Sequence, residues 1–156
     1  MAELHPVCAP LAFLLGTWRG TGAGTYPSIE DFSYAEEVSF AHVGKPFVAY
    51  SQKTKNADTG LPLHAEAGFL RPQGDGRVEL VLVQPSGIVE LLEGTVEDCD
   101  VQLASTAVLG TASAKPVTAT ERRFWVEGDA LRSSVAMAAM GLELQHHVLS
   151  EMYRLS

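Results

Sequence analysis

Turn-forming residues interrupt this chain at intervals of roughly 8–12 residues, and that spacing constrains the fold more than any other feature. The clearest breaks are Pro72-Gln73-Gly74-Asp75-Gly76, Pro85-Ser86-Gly87 and Glu127-Gly128-Asp129. Gly44-Lys45-Pro46, Asp58-Thr59-Gly60, Glu97-Asp98-Cys99-Asp100 and the glycine-rich stretch 20–24 read the same way. Gly and Pro supply or enforce backbone angles that helices and central strands reject. Between the breaks lie short runs of Val, Leu, Phe, Tyr and Thr, as at 78–83 and 88–92. No long 3.6-residue periodicity is present. The pattern predicts about ten strands, near 17–22, 33–42, 46–55, 62–71, 77–84, 87–97, 101–108, 116–126, 130–138 and 143–154. One helical turn is expected over residues 10–15, capping a barrel end, and 136–141 reads as strand or loop. Ten antiparallel strands tend to close, because closure removes exposed edges. Eight strands already leave room for one small ligand, so ten predict a cavity that side chains do not fill.

Composition narrows the partners. The 156 residues fit one domain, 1–156, and can bury a core without a disulfide or structural metal. The net charge is −8, and Arg122-Arg123 is the longest basic cluster. That is too short to track a phosphate backbone, so no nucleic acid and no anionic membrane surface is expected as a partner. Cys8 and Cys99 form no CxxC or Cys/His metal spacing and read as reduced thiols of a cytoplasmic protein. The N-terminal segment lacks a basic region ahead of its short apolar run and does not read as a signal peptide. No apolar run reaches the length of a membrane-spanning helix.

Four segments carry candidate chemistry. Gly16-Thr17-Trp18-Arg19-Gly20-Thr21-Gly22 opens the first strand, where Trp18 is expected in the core at a barrel end and the glycines permit close backbone approach. Tyr26-Pro27-Ser28-Ile29 is a rigid turn that either caps itself with the Ser28 hydroxyl or offers it to a ligand. In 62–69, alternation puts His64, Glu66 and Gly68 on one face and Leu63, Ala65, Ala67 and Phe69 on the other. In Leu144-Gln145-His146-His147-Val148-Leu149 the adjacent histidines point to opposite faces and cannot share one metal without a bulge. A single inward His in an apolar barrel suits haem iron as an axial ligand, but alternation does not say which of the two points inward. The acidic residues look scattered, and none forms an evident acid–base pair. No nucleophile elbow, zinc motif, phosphate loop or calcium loop is present.

The chain resembles the nitrobindin family, haem-binding barrels of the calycin or fatty-acid-binding-like type. The likeness rests on LLGTWRGTGAGTYPSI, FSYAEEVSFAHVGKPFVAYSQKT, TGLPLHAEAGFLRP, VQPSGIVELLEG and LQHHVLSEMYRL, in the family's order, from about residue 11 to 155. The resemblance implies a ten-stranded antiparallel barrel with one haem b per chain in a wide, partly open cleft. It implies His147 as the iron ligand. It also implies Ser28, Phe32, Leu63, His64, Gln84 and Met137 as cofactor-lining positions, with His64 and Gln84 near the iron without ligating it. Ser28 stands where the family has Thr, which keeps the hydroxyl and loses a methyl. Ala138-Ala139-Met140-Gly141 replaces a threonine run and departs from the family's pocket wall. The implied activity is isomerisation of peroxynitrite to nitrate at ferric haem, with nitric oxide binding and no catalytic residue beyond the iron. Two other readings stand beside it: a barrel carrying a fatty acid or other hydrophobic ligand, and a haem-based nitric oxide sensor. A homo-oligomer is left open.

Overall fold

Inward-facing apolar residues on every second position make these segments strands. Residues 77–83, for example, bury Val78, Leu80 and Leu82 while Glu79 and Val81 face out. The computed structural model describes residues 1–155. Ten strands follow an N-terminal 3₁₀ helix (Pro6–Leu14). They are β1 (Gly16–Tyr26), β2 (Ile29–Ala41), β3 (Val48–Asn56), β4 (Pro62–Gly74) and β5 (Arg77–Val83), then β6 (Ile88–Glu97), β7 (Asp100–Gly110), β8 (Val117–Glu127), β9 (Ala130–Ala139) and β10 (Gln145–Arg154). Each strand pairs antiparallel with its neighbours in sequence, and β1 closes on β10. The result is an up-and-down closed barrel, as the turn spacing predicts. No helix among the described residues is long and apolar enough to cross a membrane.

Two local expectations are corrected. The helix is of the tighter 3₁₀ kind and covers Pro6–Leu14 rather than 10–15. Pro10 lacks the N–H that an α-helix starting at Pro6 would bond to the Pro6 carbonyl, and short 3₁₀ pieces tolerate such a loss better. The glycine-rich stretch 20–24 is not a break, because β1 runs through it to Tyr26. Gly22 and Gly24 face Tyr34 and Phe32 across the β1–β2 register, and those rings lie where a Cβ would stand, at 2.4 Å and 2.2 Å. The aromatic rings of β2 cover the bare backbone of β1, and the strand continues.

One end of the barrel is filled. Trp18, Phe40, Leu70, Leu80, Phe124 and Met152 pack there, and the 3₁₀ helix seals it with Cys8, Leu11 and Leu14. Trp18 is buried, donates its indole N–H to the Leu14 carbonyl at 2.8 Å and lies under the Arg154 guanidinium at 4.3 Å. The core role read for Trp18 holds. Both cysteines are free thiols, Cys8 buried and Cys99 exposed.

At Gly20 a Cβ would sit 1.9 Å from the backbone oxygen of Glu151, on the β10 strand that closes the barrel. Gly20→Ala is therefore expected to destabilise the fold by about 1–3 kcal/mol, the usual cost of forcing atoms into a filled space. Urea unfolding should show the lowered midpoint.

Candidate functional site

The inward positions of the strands change character along the barrel axis. On β2 they run from Phe40 and Val38, through Glu36, to Tyr34 and Phe32. The same order appears as Leu70, Glu66, His64 on β4, as Leu92, Glu90, Ile88 on β6, and as Met152, Ser150, Val148 on β10. On β8 it is Phe124, Arg122, Thr120. Register across the sheet stacks these into layers: an apolar plug, then a buried polar floor, then the wall of a cavity of about 880 Å³.

Arg122 organises the floor. Its guanidinium donates to both oxygens of Glu66 (2.7 and 3.3 Å) and both of Glu90 (3.0 and 2.7 Å). Thr120 Oγ1 and Gln84 Nε2 donate to Glu90 at 2.6 and 2.5 Å, and the Tyr50 hydroxyl donates to Glu66 at 2.8 Å. His64 Nε2 donates to Glu66 Oε1 at 3.0 Å. Glu36 accepts from Ser150 Oγ and Gln52 Nε2 at 2.6 and 2.7 Å. Burial works to raise the Glu66 carboxyl, but Arg122, then His64 and Tyr50, outweigh it and hold it at about 2. Glu36 has no such cation, and burial pushes it up. Three of the carboxylates that look scattered along the chain, Glu36, Glu66 and Glu90, are thus gathered inside the barrel. A readable signal did exist, since each falls on an inward position of an alternating apolar strand.

All seven residues singled out as cofactor-lining, Ser28, Phe32, Leu63, His64, Gln84, Met137 and His147, line this one cavity. Leu63 and His64 both do so, although alternation sets them on opposite faces. A register shift between Thr54 and Lys55 on β3 breaks the pairing at Leu63 and turns it toward the mouth. His64 is tied to Glu66 through Nε2, which occupies that ring nitrogen. Lys115, which the sequence reading passed over, also lines the cavity. Of the departing segment, Ala139 and Met140 line the wall, and Ala139 donates its N–H to the Tyr26 hydroxyl at 2.8 Å.

The two histidines of β10 are separated by a bulge. Counting inward positions back from Met152 and Ser150 through Val148 would place His146 inside. The β9–β10 register instead shifts between His146 and Val148, leaving His147 as the extra residue. His147 consequently lines the cavity beside Val148, and His146 is exposed outside, in a shallow depression with Thr25, Asp31 and Leu149. The His147 ring meets Tyr26 edge-on at 5.5 Å and Phe32 at 6.2 Å between centroids. Its Nδ1 lies 3.1 Å from the Thr25 carbonyl oxygen. A carbonyl only accepts, so Nδ1 carries the proton and Nε2 keeps its lone pair. Burial lowers the His147 pKa against the opposing pull of the Thr25 carbonyl, so the neutral ring is favoured at neutral pH.

A neutral imidazole, oriented by a backbone acceptor and set in a largely apolar wall, has the chemistry to take a metal at its free nitrogen. Among the described residues no group of three or more His, Cys, Asp or Glu could hold a metal ion by itself. A single nitrogen donor facing a large cavity instead suits a metal that brings most of its own ligands, as haem iron does.

Comparison with known proteins also points to a haem-binding barrel. The profile of the THAP4-like, heme-binding beta-barrel domain matches residues 7–154. Peroxynitrite isomerase 2 of Mycobacterium ulcerans is 50% identical over 159 residues, covering 99% of this chain and 99% of the relative. Peroxynitrite isomerase of Nocardia farcinica is 48% identical over 155 residues, covering 97% and 92%. The crystal structure of Rv2717c from M. tuberculosis superposes with a TM-score of 0.92 at 43% identity, covering 99% of this chain and 100% of that one. An S-type phycobiliprotein lyase from Guillardia theta shares the fold alone, with a TM-score of 0.65 at 12% identity over 92% of this chain and 89% of that one.

The floor makes stability depend on acid. Glu66, held at about 2 in the fold against an ordinary 4.5, contributes stability that is present above pH 4.5 and lost as pH falls toward 2. Glu66→Gln should therefore flatten the acid limb of stability, read as urea midpoints at pH 6 and pH 3. Arg122→Met leaves the buried carboxylates without their cation and is expected to cost about 3–5 kcal/mol at pH 7, checked by urea unfolding.

Proposed function

The chain belongs to the nitrobindin family of THAP4-like haem-binding barrels, and from that membership we propose that residues 1–156 form one unit in which His147 holds the iron of a single haem b and which isomerises peroxynitrite to nitrate. The observation that carries the proposal is the His147 ring, inside the cavity, with Nδ1 committed to the Thr25 carbonyl and Nε2 left to donate. Ferric haem held there would supply a Lewis-acid centre for peroxynitrite, and the same centre would offer a site for nitric oxide.

The protein's own contribution is binding, orientation and exclusion. Phe32, Leu63, Met137 and Val148 offer apolar wall for the porphyrin faces. Ser28 and Lys115 offer a hydroxyl and a cation to the carboxylates of the porphyrin edge. Glu66 holds the Nε2–H of His64, which keeps that nitrogen from iron. The floor, in which Glu66 and Glu90 share one arginine, has no unpaired cation to receive an anion, so an anionic substrate would sit in the mouth half of the cavity. The overall charge of −8 gives no long-range attraction for such a substrate, and local presentation must do that work.

The fatty-acid-carrier reading loses its anchor in the same floor. A buried cation is what a fatty-acid carboxylate would need there, and Arg122 already donates to two glutamates.

Reconstitution with haem should give a Soret band that is lost in His147→Ala and kept in His146→Ala. Peroxynitrite decay should then accelerate at catalytic concentrations of the loaded wild-type protein. A band retained by His147→Ala would remove the ligand assignment, and unaccelerated decay would remove the activity.

A further inference from the structure

Two irregularities meet where the barrel wall carries its histidine. The β1–β10 ladder pairs residues in strict register up to Gly24 with Val148 and stops there. The next pair in register would be Thr25 with His147. On the other side of β1 the β1–β2 register slips between Gly24 and Tyr26, so that Thr25 lies in the irregular step. On the other side of β10 the bulge holds His147. Thr25 thus sits outside regular pairing on both flanks. Its carbonyl, freed from the ladder, receives the imidazole N–H instead.

A carbonyl released from its ladder needs something else to hold it in place. The hydroxyl of Thr25 donates to Asp31 Oδ1 at 2.7 Å, spanning the β1–β2 turn. Thr25 and Asp31 are both exposed on the outer face, in the depression that also holds His146. A short chain therefore crosses the wall: Asp31 carboxylate, Thr25 hydroxyl, Thr25 backbone, His147 Nδ1–H. We propose that Asp31 and Thr25 are positioning residues for the iron ligand, fixing from outside the barrel the carbonyl that orients the His147 ring inside it. The inference rests on the reading of His147 as the haem ligand.

The physical effect has two parts. The Asp31–Thr25 hydrogen bond stops the irregular step from rotating, and so holds the acceptor where the ring N–H points. A firm acceptor at Nδ1 also makes Nε2 a stronger donor, because it stabilises the proton-sharing form of the ring that binds metal best. Groups that orient a metal-bound histidine in this way typically change metal affinity by about 10–100-fold when removed. Exposure of this pair to water places the expectation at the lower end.

The test uses the haem-loaded full chain. Thr25→Val removes the hydroxyl and keeps the shape and the carbonyl, Thr25→Ser keeps the hydroxyl, and Asp31→Ala removes its acceptor. Haem transfer to excess haem-free myoglobin is followed at the Soret band, and the reduction potential of the bound haem is measured alongside. Thr25→Val and Asp31→Ala are expected to keep the band, release haem about tenfold faster and shift the potential positive, while Thr25→Ser behaves as wild type. Wild-type release rate and potential in both Thr25→Val and Asp31→Ala would overturn the proposal. Faster release with an unmoved potential would also overturn it, since that marks loosened structure without a change at the ligand. Retention of the band in His147→Ala would instead sink the underlying ligand assignment, so the two failures are separable.

Discussion

The Arg122 guanidinium, buried between Glu66 and Glu90, is the interaction on which the interior depends. A barrel of ten strands is too wide for side chains to fill throughout, and an apolar interior would tend to close on itself. Charged groups brought in from β2, β4, β6 and β8 resist that closure, because each needs its hydrogen-bond partners at fixed distances. The apolar plug lies on one side of this layer and the cavity on the other. The layer converts a wide barrel into a shallow, floored cup. A buried ion pair of this kind contributes little to stability against apolar replacements of the same shape, so its value lies in the geometry it enforces.

The wall of the cup carries its chemistry at one irregular point. Strict alternation along β10 would have turned His146 inward and His147 out. The bulge between His146 and Val148 reverses that order without disturbing Ser150 or Met152 further along. One inserted residue thereby sets a ring nitrogen into the cavity and leaves the other histidine in solvent. The slip in β1–β2 at Thr25 supplies the matching acceptor. Bulges re-aim side chains at the cost of a ladder bond, and here the carbonyl spared from pairing is the one that orients the His147 ring.

Electrostatics inside the cup favour a neutral imidazole at the wall and carboxylate at the floor. Burial lowers the His147 pKa, while Arg122, His64 and Tyr50 keep Glu66 ionised against the same burial. The difference lies in partners: Glu66 has a buried cation within hydrogen-bond reach, and His147 has only a backbone dipole. A neutral imidazole at His147 and a charged carboxylate at Glu66 therefore coexist at neutral pH within one cavity.

Much of this was legible in the chain itself. Turn residues at regular intervals and alternating apolar runs determine an antiparallel barrel of about ten strands, because each turn chemistry and each pleat is a local property. The motif set 144–149 with its neighbours, through family resemblance, pointed to the cavity-lining residues. Register was not legible. Whether 20–24 interrupts β1 turns on the rings of β2 that cover its glycines. Alternation alone leaves the inward histidine of β10 and the reach of Leu63 open, and each turns on a one-residue slip between strands. So does the meeting of Glu36, Glu66, Glu90 and Arg122, which lie far apart in the chain. Such slips are settled by pairing across the closed sheet, where a shift of one residue exchanges inside for outside. Only the folded barrel, which must satisfy every strand's register at once, decides them.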